Sequence, residues 1–210
     1  MPKKVDHHAR RTLLADALMR VATQRGLEDV SLRHVAAEAG VTAGMVQHYF
    51  RTKDEMMVFA LGALRERVEQ RLAADPLPDD ARPRRQVEAL LVQLLPLDTE
   101  RELEAHVSLA FQAYAAVKPE IAEDLRADTA GMRQGLAGLV SAAGVGGVDP
   151  ALAAVALLSL VEGLSLHVLG RHITPDEALA ALCAHLDLVL GDGRGRAGAG
   201  RSLDGIGDQQ

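Results

Sequence analysis

Apolar positions in the first quarter of the chain recur every three or four residues. Leu14, Ala17, Leu18, Val21 and Ala22 fall on one stripe, the period of a helix with a single buried face. Gly26 predicts its stop, because glycine tolerates the left-handed conformation that ends helices. Ser31 predicts the N-cap of a short helix over Leu32 to Ala39, closed by Gly40, and Thr42 caps another ending near Tyr49–Phe50. Thr52 opens a longer helix, with Glu55 three residues on to complete a capping box. Three helix starts within about 22 residues is the spacing of a helix-turn-helix.

Beyond this stretch the elements lengthen. The linker at Asp75-Pro76-Leu77-Pro78 precedes a helix from about Arg82 to Leu95, before Pro96. Thr99 with Glu102 predicts a further capping box, and His106, Leu109, Ala110, Ala113, Tyr114 and Val117 its inward stripe. Pro119 opens a helix reaching about Ala143, and residues 144–147 form a glycine loop. Asp149-Pro150 and Thr174-Pro175-Asp176-Glu177 start the last two helices, with proline at the first position, where its missing N–H costs nothing. Nine helices and no strand predict an all-α fold. The organisation reads as a helix-turn-helix domain over 1–53, a helical body over 54–190 and a disordered tail over 191–210. Seven glycines in those last twenty residues leave no apolar period, too little to offset chain entropy.

Composition narrows the function. Ala and Leu abound, only five of 210 residues are aromatic, and the single cysteine, Cys183, excludes an internal disulfide. The chain opens on polar and charged residues without a leader, so the cytoplasm is the expected address. The apolar run Ala151 to Leu169 carries Ser159, Glu162, Ser165 and His167, which favours a buried helix over a membrane span. Net charge is −6, yet residues 1–53 hold nine Lys/Arg against five Asp/Glu, so the remainder carries −10. A basic end on an acidic body suggests a nucleic-acid module.

The segment from Val30 to Phe50 carries the chemistry. Leu32, Val35, Ala36, Val41 and Val46 are spaced to bury a small core between two crossed helices. The residues left pointing outward are Arg33, Thr42, Ala43, Gly44, Gln47, His48 and Tyr49. A helix with alanine and glycine in its first turn can lie deep in a major groove. Gln47 has the donor and acceptor for a base edge, His48 and Tyr49 the reach for phosphate, and Lys53 begins the next helix, whose backbone amides favour phosphate. Lys3, Lys4, Arg10 and Arg11 form either an N-terminal arm near DNA or a solvated start. No phosphate loop, nucleophile elbow or metal-ligand spacing is present, so neither catalysis, a cofactor nor a metal is expected; His7-His8 lacks companions for a metal.

From Arg11 through Met57 the chain resembles the DNA-binding domain of the TetR family of bacterial transcriptional regulators. The resemblance rests on Gly26-Leu27, Val30-Ser31-Leu32, Val35 through Val41, His48-Tyr49-Phe50 and Lys53-Asp54-Glu55. The helices that follow are similar in number and order, and the ending after Thr174 is similar to the branch grouped with choline-responsive BetI repressors. The resemblance implies a homodimer formed by the helices over 150–169 and 175–190, a palindromic double-stranded DNA operator and release by a small-molecule effector. It also implies DNA contacts at Ser31, Arg33, Thr42, Ala43, Gly44, Gln47, His48, Tyr49 and Lys53. Gln47 departs from the aromatic residue common at this place in the family, so base preference does not transfer.

In the body, His106, Phe111 and Tyr114 are candidates for a ligand cavity, or core residues at helical spacing. Glu162, the one charge between Asp149 and Arg171, calls for a partner if buried: a polar group across a dimer interface, or a cationic or hydrogen-bonding effector. So few aromatic rings disfavour an aromatic cage for choline. The rival reading is a helical ligand- or partner-binding protein without DNA function. The uncrowded first turn at Thr42–Gly44 opposes it.

Overall fold

The computed structural model describes residues 7–78, 80–144, 147 and 149–191, with backbone alone at 120–122, 124–125 and 127–128. Lys3 and Lys4, most of the glycine loop and the tail beyond Gly191 lie outside the described residues. Among the described residues there are nine helices and no strand. They are α1 (His7–Arg25), α2 (Leu32–Glu38), α3 (Ala43–Tyr49), α4 (Lys53–Ala74), α5 (Pro83–Val92), α6 (Thr99–Ala116), α7 (Pro119–Ala142), α8 (Pro150–Leu169) and α9 (Pro175–Leu190).

The boundaries follow local chemistry. Ser31, Thr42 and Thr52 each accept a hydrogen bond from the backbone N–H three residues on, the N-cap device that satisfies a helix's orphan donors. Gly26 and Gly40 sit at φ +80° and +67°, where a side chain would strain the backbone. Thr174 and Glu177 form a complete reciprocal capping box.

Two expected boxes are built differently. The Glu55 carboxylate accepts from the N–H of Arg51, one residue before the cap. At α6 the cap is Asp98, which accepts from Arg101 N–H at 2.8 Å, and Glu102 instead pairs with Arg171 at 2.5 Å. Helix α5 gives way at Val92 to successive turns, with Leu94 N–H bonded to Leu91 and Leu95 N–H to Val92, because Pro96 restricts the chain before it.

The apolar faces collect into two cores. The first joins α1, α2, α3 and the start of α4, with Phe50, Met56 and Met57 fully buried, and takes in Val107 and Phe111 from α6. The second is made by α5, α7, α8 and α9 around Leu91, Leu136, Leu157, Leu182 and Leu186. Helix α6 thus gives its buried side chains to the first core while packing beside α7 and α8, and the helix-turn-helix core does not end at residue 53.

Packing against the first core overturns the expected α6 stripe. Its buried residues are Glu104, Ala105, Val107, Phe111 and Ala115. His106, Ala113 and Val117 are exposed, while Leu109, Ala110 and Tyr114 are half-buried. Helix α8 is long and apolar enough to cross a membrane by length and composition, with 39% of its apolar window buried.

Candidate nucleic-acid interface and ligand cavity

Helix α3 stands on α2 through Val46, which is fully buried, and Val41, which joins the same core. The rest of α3 is turned outward: Thr42, Ala43, Gly44, Gln47 and His48 are exposed, as are Arg33 on α2 and, at the far end, Arg51. Ser31 is half-buried because its hydroxyl is spent on capping α2. Tyr49 is half-buried, its ring 4.7 Å from that of His7 and 5.1 Å from that of His48.

Gly44 is not demanded by the protein's own packing. A Cβ placed there would meet only the Thr42 hydroxyl oxygen, at 4.0 Å, and its backbone is ordinary helix. A glycine that nothing internal requires, on an exposed helix where it lowers stability, points to something approaching from outside.

Two basic side chains of this region are engaged within the protein. Lys53 does not face outward: its ammonium donates to the carbonyls of Leu27 at 2.6 Å and Glu28 at 3.3 Å, and lies over the Tyr114 ring. Burial first, and then nearby Lys118, hold its pKa below the ordinary lysine value. Arg11 is likewise engaged, with its guanidinium 4.7 Å from the centre of Phe50 and 4.3 Å from that of Phe59. Two exposed residues escaped the sequence reading. Arg51 directly follows Phe50, and Met45 offers an apolar contact on α3; the basic residue closing the helix-turn-helix was the available signal.

A cavity of about 150 Å³ opens among α4, the turns that follow α5, α6, α7 and α8. Leu61, Leu64, Val68, Leu109, Leu158 and Val161 supply apolar wall, and Arg65, Arg101, Glu104, Ser108, Glu162 and Ser165 the polar edge. Of the four ligand candidates, Glu162 alone lines it. His106 is exposed, its Nδ1 3.1 Å from the Glu102 carbonyl, and Phe111 is buried in the first core. Tyr114 donates to Asp54 at 3.2 Å and accepts from Lys118, so it belongs to the joint between α6 and α4.

Glu162 is exposed rather than buried and accepts from the Gln112 amide at 3.1 Å. The buried carboxylate is Glu104, held by a fork from Arg71 at 2.8 and 3.1 Å. No local pattern marks it, because its partner comes from another helix. Ser165, only 4% exposed, also lies on the cavity wall. Arg101 is engaged by Asp98 and the Val92 carbonyl. Among the described residues no group of three or more His, Cys, Asp or Glu is placed to hold a metal.

Similarity to known proteins follows the same division. Residues 14–58 match the family described as bacterial regulatory proteins, tetR family, and residues 83–191 the BetI-type transcriptional repressor C-terminal domain. The HTH-type transcriptional regulator PksA of Bacillus subtilis (strain 168) is 34% identical over 174 residues, 80% of this chain and 83% of that protein. A transcriptional regulator from Rhodococcus sp. Rha1 is 40% identical with a TM-score of 0.73, covering 86% of this chain and 94% of its own. The multidrug binding protein EbrR, solved with imidazole, is 31% identical with a TM-score of 0.58 over 89% and 96%. Together with the exposed α3 and the cavity of the body, these likenesses place the chain in the TetR family of ligand-responsive, DNA-binding transcriptional regulators.

Proposed function

We propose that the chain is a repressor that binds a palindromic operator as a homodimer and is released when a small molecule fills the cavity. The supporting observation is α3 itself, a helix with a bare first turn whose glycine has no internal reason to be one. Each subunit lays α3 in a major groove, with Thr42, Ala43 and Gly44 closest to the bases and Gln47 reading an edge. Arg33, His48 and Tyr49 contact phosphate, joined by Arg51, while Ser31 fixes the start of α2. Lys53 contributes by locking α4 to the 27–28 turn.

The dimer forms through α8 and α9, where Leu188 is 83% and Leu152 69% exposed, with Val155 and Leu166 also exposed. Large apolar side chains left in water on one helix pair mark a protein interface. The functional division runs 1–53 for DNA and 54–190 for ligand and dimer, and the site of action is the cytoplasm with its DNA.

The effector is a small, largely aliphatic molecule carrying a hydrogen-bond donor or a positive charge. Glu104, Glu162 and Ser165 face the cavity as acceptors with oxygen lone pairs to spare, while of its two arginines Arg101 is held by Asp98 and the Val92 carbonyl and Arg65 is exposed. Binding acts by its differential affinity for two subunit arrangements, only one of which matches adjacent half-sites.

Fluorescence anisotropy with labelled DNA from the region upstream of the chain's own gene tests this. Sequence-preferring binding at moderate salt is expected, with half-site symmetry in the footprint. Equal affinity for scrambled DNA sinks the reading.

A further inference from the structure

Glu104 is the one buried charged side chain among the described residues, 7% exposed on the cavity wall. A carboxylate taken out of water is retained only if cations neutralise it, and two arginines of α4 do so unequally. Arg71 grips both oxygens and is itself tied to the Gln93 side chain at 3.0 Å and the Gln93 carbonyl at 3.3 Å. Arg67 is the looser partner, with Nη1 3.5 Å from Oε1 of Glu104. Its other nitrogen, Nη2, donates to Oδ1 of Asp16 on α1 at 2.5 Å, and Glu100 stands 4.0 Å away.

One guanidinium therefore joins a cavity carboxylate to the first helix of the DNA-binding domain. Asp16 lies between Ala15 and Ala17, both fully buried in the first core, so its position sets that of α1. Burial raises the Asp16 carboxyl above the ordinary range, and Arg67, then Arg20, works against that rise.

We infer that Glu104 senses occupancy of the cavity and Arg67 relays it to Asp16. A ligand group that donates to Glu104 competes with the 3.5 Å contact to Arg67, not with the anchored fork of Arg71. Arg67, released from Glu104, settles on Asp16 and Glu100 and reseats α1 against α4. The inference rests on the cavity being the effector site, as proposed above, and gives that site its route to the DNA.

Glu104→Gln removes the charge that a donor-bearing ligand would neutralise, so the relay is testable with DNA alone. Anisotropy titrations of the full chain on the upstream fragment compare the wild type, Glu104→Gln, Asp16→Asn and the double variant. Glu104→Gln is expected to weaken binding about tenfold, and to change it less than about twofold when Asp16 is already Asn. Glu69→Gln, which removes an exposed carboxylate from the same helix as the two arginines, leaves affinity unchanged as a control.

Should Glu104→Gln fail to fold by circular dichroism, Arg67→Lys serves instead. It keeps the charge but loses the fork that spans both carboxylates, and the same loss and the same dependence on Asp16 are expected. A folded variant with unaltered affinity, or an equal effect in both Asp16 backgrounds, overturns the relay. Absence of specific binding by the wild type overturns the DNA-binding reading itself, and the relay with it.

Discussion

Helices α3 and α8 both leave a face uncovered, and the faces have opposite chemistry. Helix α3 is seven residues long, rooted by Val46, and shows small and polar groups at Ala43, Gly44, Gln47 and His48. Helix α8 is twenty residues long, its inner side is packed by Ala154, Leu157 and Val161, and its outer side shows Leu152, Val155 and Leu166. Bare helix without bulky side chains suits a polar groove that must be approached closely. Exposed leucine and valine suit another apolar surface, since burying them releases water at about 25 cal/mol per Å². On this difference rests the proposal that the polar face meets DNA and the apolar face a second copy of the chain.

The contrast is broken most severely by charging the apolar face. Leu152→Asp with Leu188→Asp is expected to give monomers in analytical ultracentrifugation. Loss of the paired reading heads should weaken operator binding by at least about a hundredfold. A dimer that survives would move the interface elsewhere.

Next in size is a phosphate contact on the polar face. Arg33→Ala should reduce the slope of log affinity against log salt by about one unit. Lys53→Ala, whose ammonium is turned inward onto the Leu27 and Glu28 carbonyls, should leave that slope unchanged while lowering the melting temperature. Equal slopes for both variants would undo the assignment of Arg33.

Gly44→Ala separates stability from function. The methyl group has room in the free protein, so the substitution should stabilise the fold by up to about 1 kcal/mol. It should also weaken operator binding about tenfold, by holding the helix off the base edges. Unimpaired binding would mean that this turn does not reach the bases.

The smallest effect concerns the Asp98 cap. Hydrogen bonding from the Arg101 backbone, foremost, holds its carboxyl below the ordinary aspartate value. A carboxyl with a depressed folded-state pKa contributes stability that is present above the unfolded value and lost as pH falls through the folded one. Asp98→Asn should therefore lower the melting temperature at neutral pH and flatten its decline in acid. An unchanged acid limb would remove Asp98 as a stabilising cap.

What was legible in the sequence was what neighbouring residues decide. Ser31, Thr42, Asp149 and Thr174 act within three residues of themselves, and each caps the helix it was expected to start. The outward set on α3 was legible for the same reason, since α2 and α3 bury each other's remaining faces. The inward face of α6 was not, because it is turned to a core built mostly by α1 to α4 and one of its buried residues is a glutamate. Burial of Glu104 depends on Arg71, 33 positions away, and the inward turn of Lys53 depends on carbonyls 25 and 26 positions away. Hydrophobic period cannot report partners at such separations. It ranks a charged residue as outward and an aromatic one such as Tyr114 as inward.

Because α8 walls the cavity with Leu158, Val161 and Ser165 while turning Leu152, Val155 and Leu166 away from it, one rod would serve, in the proposed dimer, as both lining and seam. Drift in chemical taste is thereby channelled. Substitutions along α8 that admit a new inducer would also tilt the proposed join between subunits, whereas those on α4, α6 and α7 would not. Descendants of this protein that respond to different compounds should differ most along those three helices and least along α8.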